Sequence, residues 1–98
     1  MISLQLNYEP PFNELTGKLR EEVQFEKNNL TLNRLLNHLY EKYGNEFKEL
    51  IWDKKKKNEL SSFLSIIVNG DNYRDDKFLD KQLKDGDDIS FLYIYFGG

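Results

Sequence analysis

Ninety-eight residues suffice for one domain that closes a modest core without metal or disulfide staples, and a chain without cysteine offers no disulfide, thiolate metal site or thiol nucleophile. Fourteen basic against seventeen acidic side chains leave a net charge of -3, which gives no reason to invoke nucleic acid. With 39% hydrophobic residues, seven Phe and six Tyr, the profile is globular and aromatic-rich rather than disordered.

No apolar run approaches the roughly 20 residues that a membrane-spanning helix needs, and no apolar signal-like region follows the N-terminus. The expected location is cytoplasmic, with no membrane partner. From Met1 to Asn7, Ile2, Leu4 and Leu6 alternate with Ser3, Gln5 and Asn7, the period-two pattern of a strand with one face in a core. Pro10-Pro11 ends it, since neither proline donates to a ladder. Phe12 to Leu15 suits a short helical turn stopped by Gly17, and Leu19 to Phe25 alternates again through Leu19, Glu21, Val23 and Phe25, a second strand able to pair with the first.

Thr31 suits a helix N-cap. Behind it Leu32, Leu35, Leu36, Leu39 and Tyr43 form one apolar stripe of an amphipathic helix. Lys42 lies in its last turn, and Gly44 fits a left-handed C-terminal residue. Asn45 to Trp52 suggests a second, shorter helical piece packed on the core, and Lys54 to Lys57 an exposed, solvated loop rather than a phosphate site. Ser65 to Val68 is a β-branched strand running into Asn69-Gly70, a strong hairpin signal, with a return arm expected over Asn72 to Arg74. Phe78, Leu79 and Leu83 anchor the connection into the last strand. That strand, Ile89 to Phe96, is apolar on both faces and belongs at the centre of a sheet, covered by the helix on one side.

His38 sits between stripe positions and has no co-ligands in the pattern, so a solvated helix flank is its simplest place and no metal site is expected. The carboxylates Asp71, Asp75, Asp76 and Asp80 lack the glycine and closing glutamate of a calcium loop. Asp85, Asp87 and Asp88 read as turn formers. Strands mixed with one dominant helix make an α+β domain; here the order specifies a β-grasp, a mixed sheet of four to five strands with one main amphipathic helix and short helical turns. A single domain over residues 1–98 ends in a Gly-Gly tail at 96–98.

The chain resembles the ubiquitin-like sulfur-carrier proteins, most closely the small subunit of molybdopterin synthase and its relatives. The resemblance runs along nearly the whole chain: Phe12-Asn13-Glu14-Leu15-Thr16-Gly17-Lys18 after the first strand, Thr31-Leu32 with Leu35-Leu36 and Leu39 at the helix start, Tyr43-Gly44 at its end, Ile67-Val68-Asn69-Gly70, Leu79 to Asp87, and Gly97-Gly98. It departs from that pattern at Tyr93-Ile94, where many members carry Pro-Pro, so the terminal arm is more apolar than usual.

What the resemblance implies is specific. A ubiquitin-activating-type adenylating enzyme would use ATP to activate the carboxylate of Gly98, and a sulfur donor would convert it to a thiocarboxylate. Gly98 would be the reacting terminus and Gly97 the clearance behind it, because glycine lets a chain thread a narrow channel. The chain would have no catalytic site and no bound cofactor of its own. Its partners would be the activating enzyme and the molybdopterin synthase large subunit. Phe91, Tyr93 and Tyr95 share one face of the last strand, and Leu92, Ile94 and Phe96 the other. Phe91, Tyr93, Tyr95 and Phe96 are the candidate docking residues beside the tail. Two alternatives stand beside this reading: a protein modifier passed through Gly98 to lysines, and a β-grasp interaction module whose glycines are incidental. Thiamin-pathway carriers share the fold and tail but lack a comparable stretch from Asn45 to Ser62.

Overall fold

The computed structural model describes residues 1–26, 29–56, 59–72 and 77–94. Strand β1 (Ile2–Tyr8) turns Ile2, Leu4, Leu6 and Tyr8 inward, as the alternation requires. A short helix α1 (Phe12–Thr16) follows, then β2 (Arg20–Phe25), antiparallel to β1 with Leu4 opposite Val23. Strand β2 starts one residue later than expected. Leu19, expected on its inner face, is 68% exposed, and that inner face is held instead by Glu21 and Val23.

Helix α2 (Leu32–Tyr43) starts where the pattern put it, with the Thr31 hydroxyl accepting the Arg34 backbone N–H at 3.3 Å. Leu32, Leu35, Leu36 and Leu39 are fully buried on its stripe. Gly44 ends it with φ 86 and ψ -172, a positive φ but not the left-handed helical conformation expected, because α3 (Asn45–Ile51) begins at the very next residue. Gly44 is thus a one-residue corner between two helices, in a backbone region that essentially only glycine occupies. Phe47 and Ile51 bury the inner side of α3.

Strand β4 (Leu64–Val68) turns at Asn69-Gly70, whose φ values of 51 and 89 are the paired positive angles of a tight hairpin. Its return strand β5 is only Asp71–Asn72; the expected continuation through Tyr73 and Arg74 lies outside the described residues. A 3-10 turn at Phe78–Asp80 leads to β6 (Gln82–Leu83), which pairs with β3 (Leu30–Thr31) in a separate two-stranded ribbon. That ribbon was not anticipated. Two-residue strands carry no readable periodicity.

The last strand, β7 (Asp88–Tyr93), fills the centre of a five-stranded sheet ordered β2-β1-β7-β4-β5. It runs parallel to β1, with Leu6 opposite Ile89 and Tyr8 opposite Phe91, and antiparallel to β4. The buried residues of sheet and helices form one contiguous cluster. This is the expected β-grasp architecture, in which α2 is the main helix and, among the described residues, α1 and α3 are the shorter helical pieces.

Candidate functional site at the root of the C-terminal arm

The arm that would carry Gly98 is rooted in the middle of the core. Ile89 and Phe91 are fully buried, and the Phe91 ring lies 5.9 Å from that of Tyr8, 5.7 Å from Phe12 and 5.8 Å from Phe47. Phe91, a candidate docking residue on the sequence pattern, is therefore core instead, with no surface to offer a partner. Its face of β7 is the one that the helices cover, so removing it from the aromatic cluster would cost the core itself. Tyr93, on the same face, is half-buried. Its ring meets Phe12 edge-on at 5.6 Å, and its hydroxyl donates to the Leu50 carbonyl. It serves both as a wall of the core and as part of the surface beside the arm. Leu92 and Ile94 point to the other face and are partly exposed, while the ring of Phe63, a residue 42% exposed, lies beside that of Tyr93 with centroids 6.2 Å apart. Tyr95, Phe96, Gly97 and Gly98 lie outside the described residues.

Backbone hydrogen bonds hold the last described residues of this root on both sides. On the β1 side the Glu9 amide bonds the Phe91 carbonyl at 3.0 Å, and the Tyr93 amide reaches the Pro10 carbonyl at 3.4 Å. Pro10 and Pro11 have no amide hydrogen to return, so the ladder cannot be extended along them. On the other side β4 begins at Leu64, opposite Tyr93, and the Ile94 amide bonds the Phe63 carbonyl at 2.7 Å. Tyr93 and Ile94, the last described residues, are thus each held by a backbone hydrogen bond, one from either flank.

Beside the root lies a groove of about 910 Å³. Pro11, Leu15, Leu50, Phe63 and Tyr93 give it apolar surface, while Glu14, Glu46, Glu49, Asp53, Lys54 and Lys55 give it charge. The Asp53 carboxylate is already engaged, accepting the backbone N–H groups of Lys55 at 2.8 Å and Lys56 at 3.1 Å. Those two bonds hold its carboxyl below the ordinary range. The sequence could have shown the groove only in part: Glu14, Glu46 and Glu49 all lie on short helices whose relative placement no local pattern encodes.

A second polar centre escaped the sequence reading. Glu21 is 8% exposed and accepts at Oε1 from the hydroxyls of Tyr8 at 2.8 Å and Tyr43 at 2.7 Å. Its Oε2 takes Lys18 Nζ at 3.0 Å and also Lys42 Nζ. Burial pushes this carboxyl up, but the hydrogen bonds from Lys42, Tyr43, Lys18 and Tyr8 outweigh it and bring it down to about 2. Burial first, then the bond to Glu21, drives the Tyr8 and Tyr43 hydroxyls in the opposite direction, above the ordinary phenol range. A carboxylate so strongly held is no general base at neutral pH. It ties β1, β2 and the end of α2 together, and its signal was a charge standing in the inward register of β2. His38 packs edge-on against Phe25 at 5.1 Å. Among the described residues no cluster of three or more His, Asp or Glu could hold a metal ion, and no helix is long and apolar enough to cross a membrane.

The ThiS family model matches residues 11–98. This chain belongs to the ThiS family of ubiquitin-like sulfur carriers. A protein of Archaeoglobus fulgidus named for a sulfur-carrier role is 31% identical over 77 residues, covering 79% of this chain and 84% of that protein. The solution structure of small archaeal modifier protein 1 from Methanosarcina acetivorans is 25% identical with a TM-score of 0.73, covering 100% of this chain and 98% of that one. A Pyrococcus furiosus protein named for molybdopterin converting factor subunit 1 shares the fold, at 21% identity and a TM-score of 0.70, covering 97% of this chain and all of that one.

Proposed function

We propose that the chain carries sulfur on Gly98 and delivers it, as the small subunit of molybdopterin synthase, to a pterin precursor held by a large partner subunit. A bare carboxylate resists nucleophiles because its oxygen is a poor leaving group. An adenylating enzyme of the ubiquitin-activating type would join the Gly98 carboxylate to the α-phosphate of ATP, releasing pyrophosphate. A sulfide-level sulfur nucleophile from a donor would then attack the acyl carbon, the new C–S bond forming as the C–O bond to AMP breaks, to leave a thiocarboxylate. The chain's own part is to present the terminus: Gly97 and Gly98 carry no side chains to obstruct a channel. Phe91 and Tyr93 anchor the last described strand in the core, directly before the residues that lead to Gly98.

The observation that carries this reading is the sulfur-carrier family match running through residue 98, where Gly97-Gly98 stand. The apolar Leu92, Ile94 and Phe63 beside the arm support a protein partner over a small-molecule one. A second reading, protein modification, is favoured by the 25% identity to the Methanosarcina modifier protein; there a lysine amine would attack the same activated carbonyl.

The test is to mix the thiocarboxylated chain with its host's molybdopterin synthase large subunit and a pterin precursor. A stable complex, sulfur gained by the pterin and return of Gly98 to the carboxylate are expected. No complex and no transfer, together with isopeptides from Gly98 to lysines in host extract, would replace the pterin role by the modifier role.

A further inference from the structure

The groove beside the arm has a composition that its position makes meaningful. Its apolar surface comes from Pro11, Leu15, Leu50, Phe63 and Tyr93. Helices α1 and α3 add Glu14, Glu46 and Glu49, all exposed, and among the described residues none of these three side chains is engaged in an ion pair or hydrogen bond. Asp53, Lys54 and Lys55 line it too, so four carboxylates stand against two ammonium groups, and this net acidic lining around partly exposed aromatic and aliphatic surface complements a segment that pairs an apolar side chain with a cation.

Reach supplies the second argument. Tyr93 lines the groove, and Gly98 is five residues further on. At about 3.3–3.6 Å per extended residue the terminal carboxylate stays within roughly 18 Å of the groove. An enzyme that holds Gly98 in its active site therefore lies within that reach of the groove, and where its surface covers the groove, leaving the carboxylates buried and unpaired would carry a considerable cost.

We infer that the groove between α1, α3 and the Phe63–Tyr93 pair is a docking site for a basic-and-apolar segment, one or more Arg or Lys beside an aliphatic or aromatic residue, of the adenylating enzyme. This rests on the sulfur-carrier reading. Glu46 and Glu49 meet the cation, and Leu15, Leu50 and Phe63 receive the apolar residue.

Thiocarboxylate formation by the host's adenylating enzyme, measured against carrier concentration, tests this with the full chain. The variant is Glu46→Lys with Glu49→Lys. The control is Glu26→Lys with Glu41→Lys, an equal charge change at exposed positions outside the groove. The groove variant is expected to raise KM about tenfold at low salt with kcat within twofold, and the gap should narrow in high salt as screening shortens the range of charge interactions. The control should keep the wild-type KM. Equal KM for the groove variant and wild type, or an equal rise in the control, would overturn the docking site while leaving the carrier role intact. So would a groove variant that changes the chain's own sedimentation, which would make a second copy the occupant. No activation of the wild-type chain by a competent enzyme removes the carrier reading and this partner together.

Discussion

Replacing Glu21 by Gln isolates the charge at the centre of the polar tie. The amide keeps an oxygen for the Tyr8 and Tyr43 hydroxyls, so the packing of β1 against α2 survives and only the carboxylate charge is lost. Its worth follows from the carboxyl's own displacement, from the ordinary 4.5 to about 2, a gap equivalent to about 3 kcal/mol at neutral pH. The lysine side chains that lose their partner are 45% and 39% exposed, so water takes over much of their solvation and they add little. A loss of roughly 2–3 kcal/mol is therefore expected at pH 7, a sizeable part of the 5–15 kcal/mol typical of a domain. Because the folded-state value is depressed, this stability is fully present above pH 4.5 and fades as pH falls toward 2. At pH 3 the difference between wild type and variant should be about half its neutral value. Urea unfolding followed by the fluorescence of Trp52 reads it directly. A difference under about 0.5 kcal/mol at pH 7, the value of an ordinary surface pair, or one that does not shrink on acidification, would refute the reasoning.

Three further substitutions probe the elements that place the arm. Phe91→Ala empties the centre of the aromatic cluster and should cost about 3–5 kcal/mol in the same urea titration; a loss below 1 kcal/mol would mean that Phe91 is not core. Thr31→Ala removes the cap of α2 and should cost about 1 kcal/mol, seen as a lower thermal midpoint by circular dichroism, where an unchanged midpoint would deny the cap. Gly70→Ala puts a side chain at φ 89 with nothing within 4 Å of its Cβ, so the expected loss of about 1–2 kcal/mol is backbone strain alone. No loss would mean that the hairpin relaxes to another turn.

Strong local patterns were legible in the chain. The Leu32-to-Tyr43 stripe, the Thr31 cap, the alternation of Ile2, Leu4 and Leu6 and the Asn69-Gly70 turn each satisfy a local rule and each formed as read. Leu19 did not, because alternation names two faces but not where a strand begins. Gly44 was given the right sign of φ and the wrong conformation, since a following helix sets its ψ. The choice of face on the last strand mattered most for the site. An all-apolar run put Phe91 and Tyr93 among the candidate docking residues, and only the helix packing shows that this aromatic pair faces inward while Leu92 and Ile94 stay partly exposed. Glu21 and the groove depend on contacts between elements distant in sequence, which no window of residues contains.

The measurement that bears most directly on the sulfur-carrier role is the intact mass of the chain after incubation with its host's adenylating enzyme, ATP and a sulfur source. A gain matching the replacement of one oxygen by sulfur, absent when Gly98 is deleted, is the expected result. An unchanged mass in the presence of an activator shown to be competent on another carrier would contradict it, and would leave the chain a β-grasp binding module.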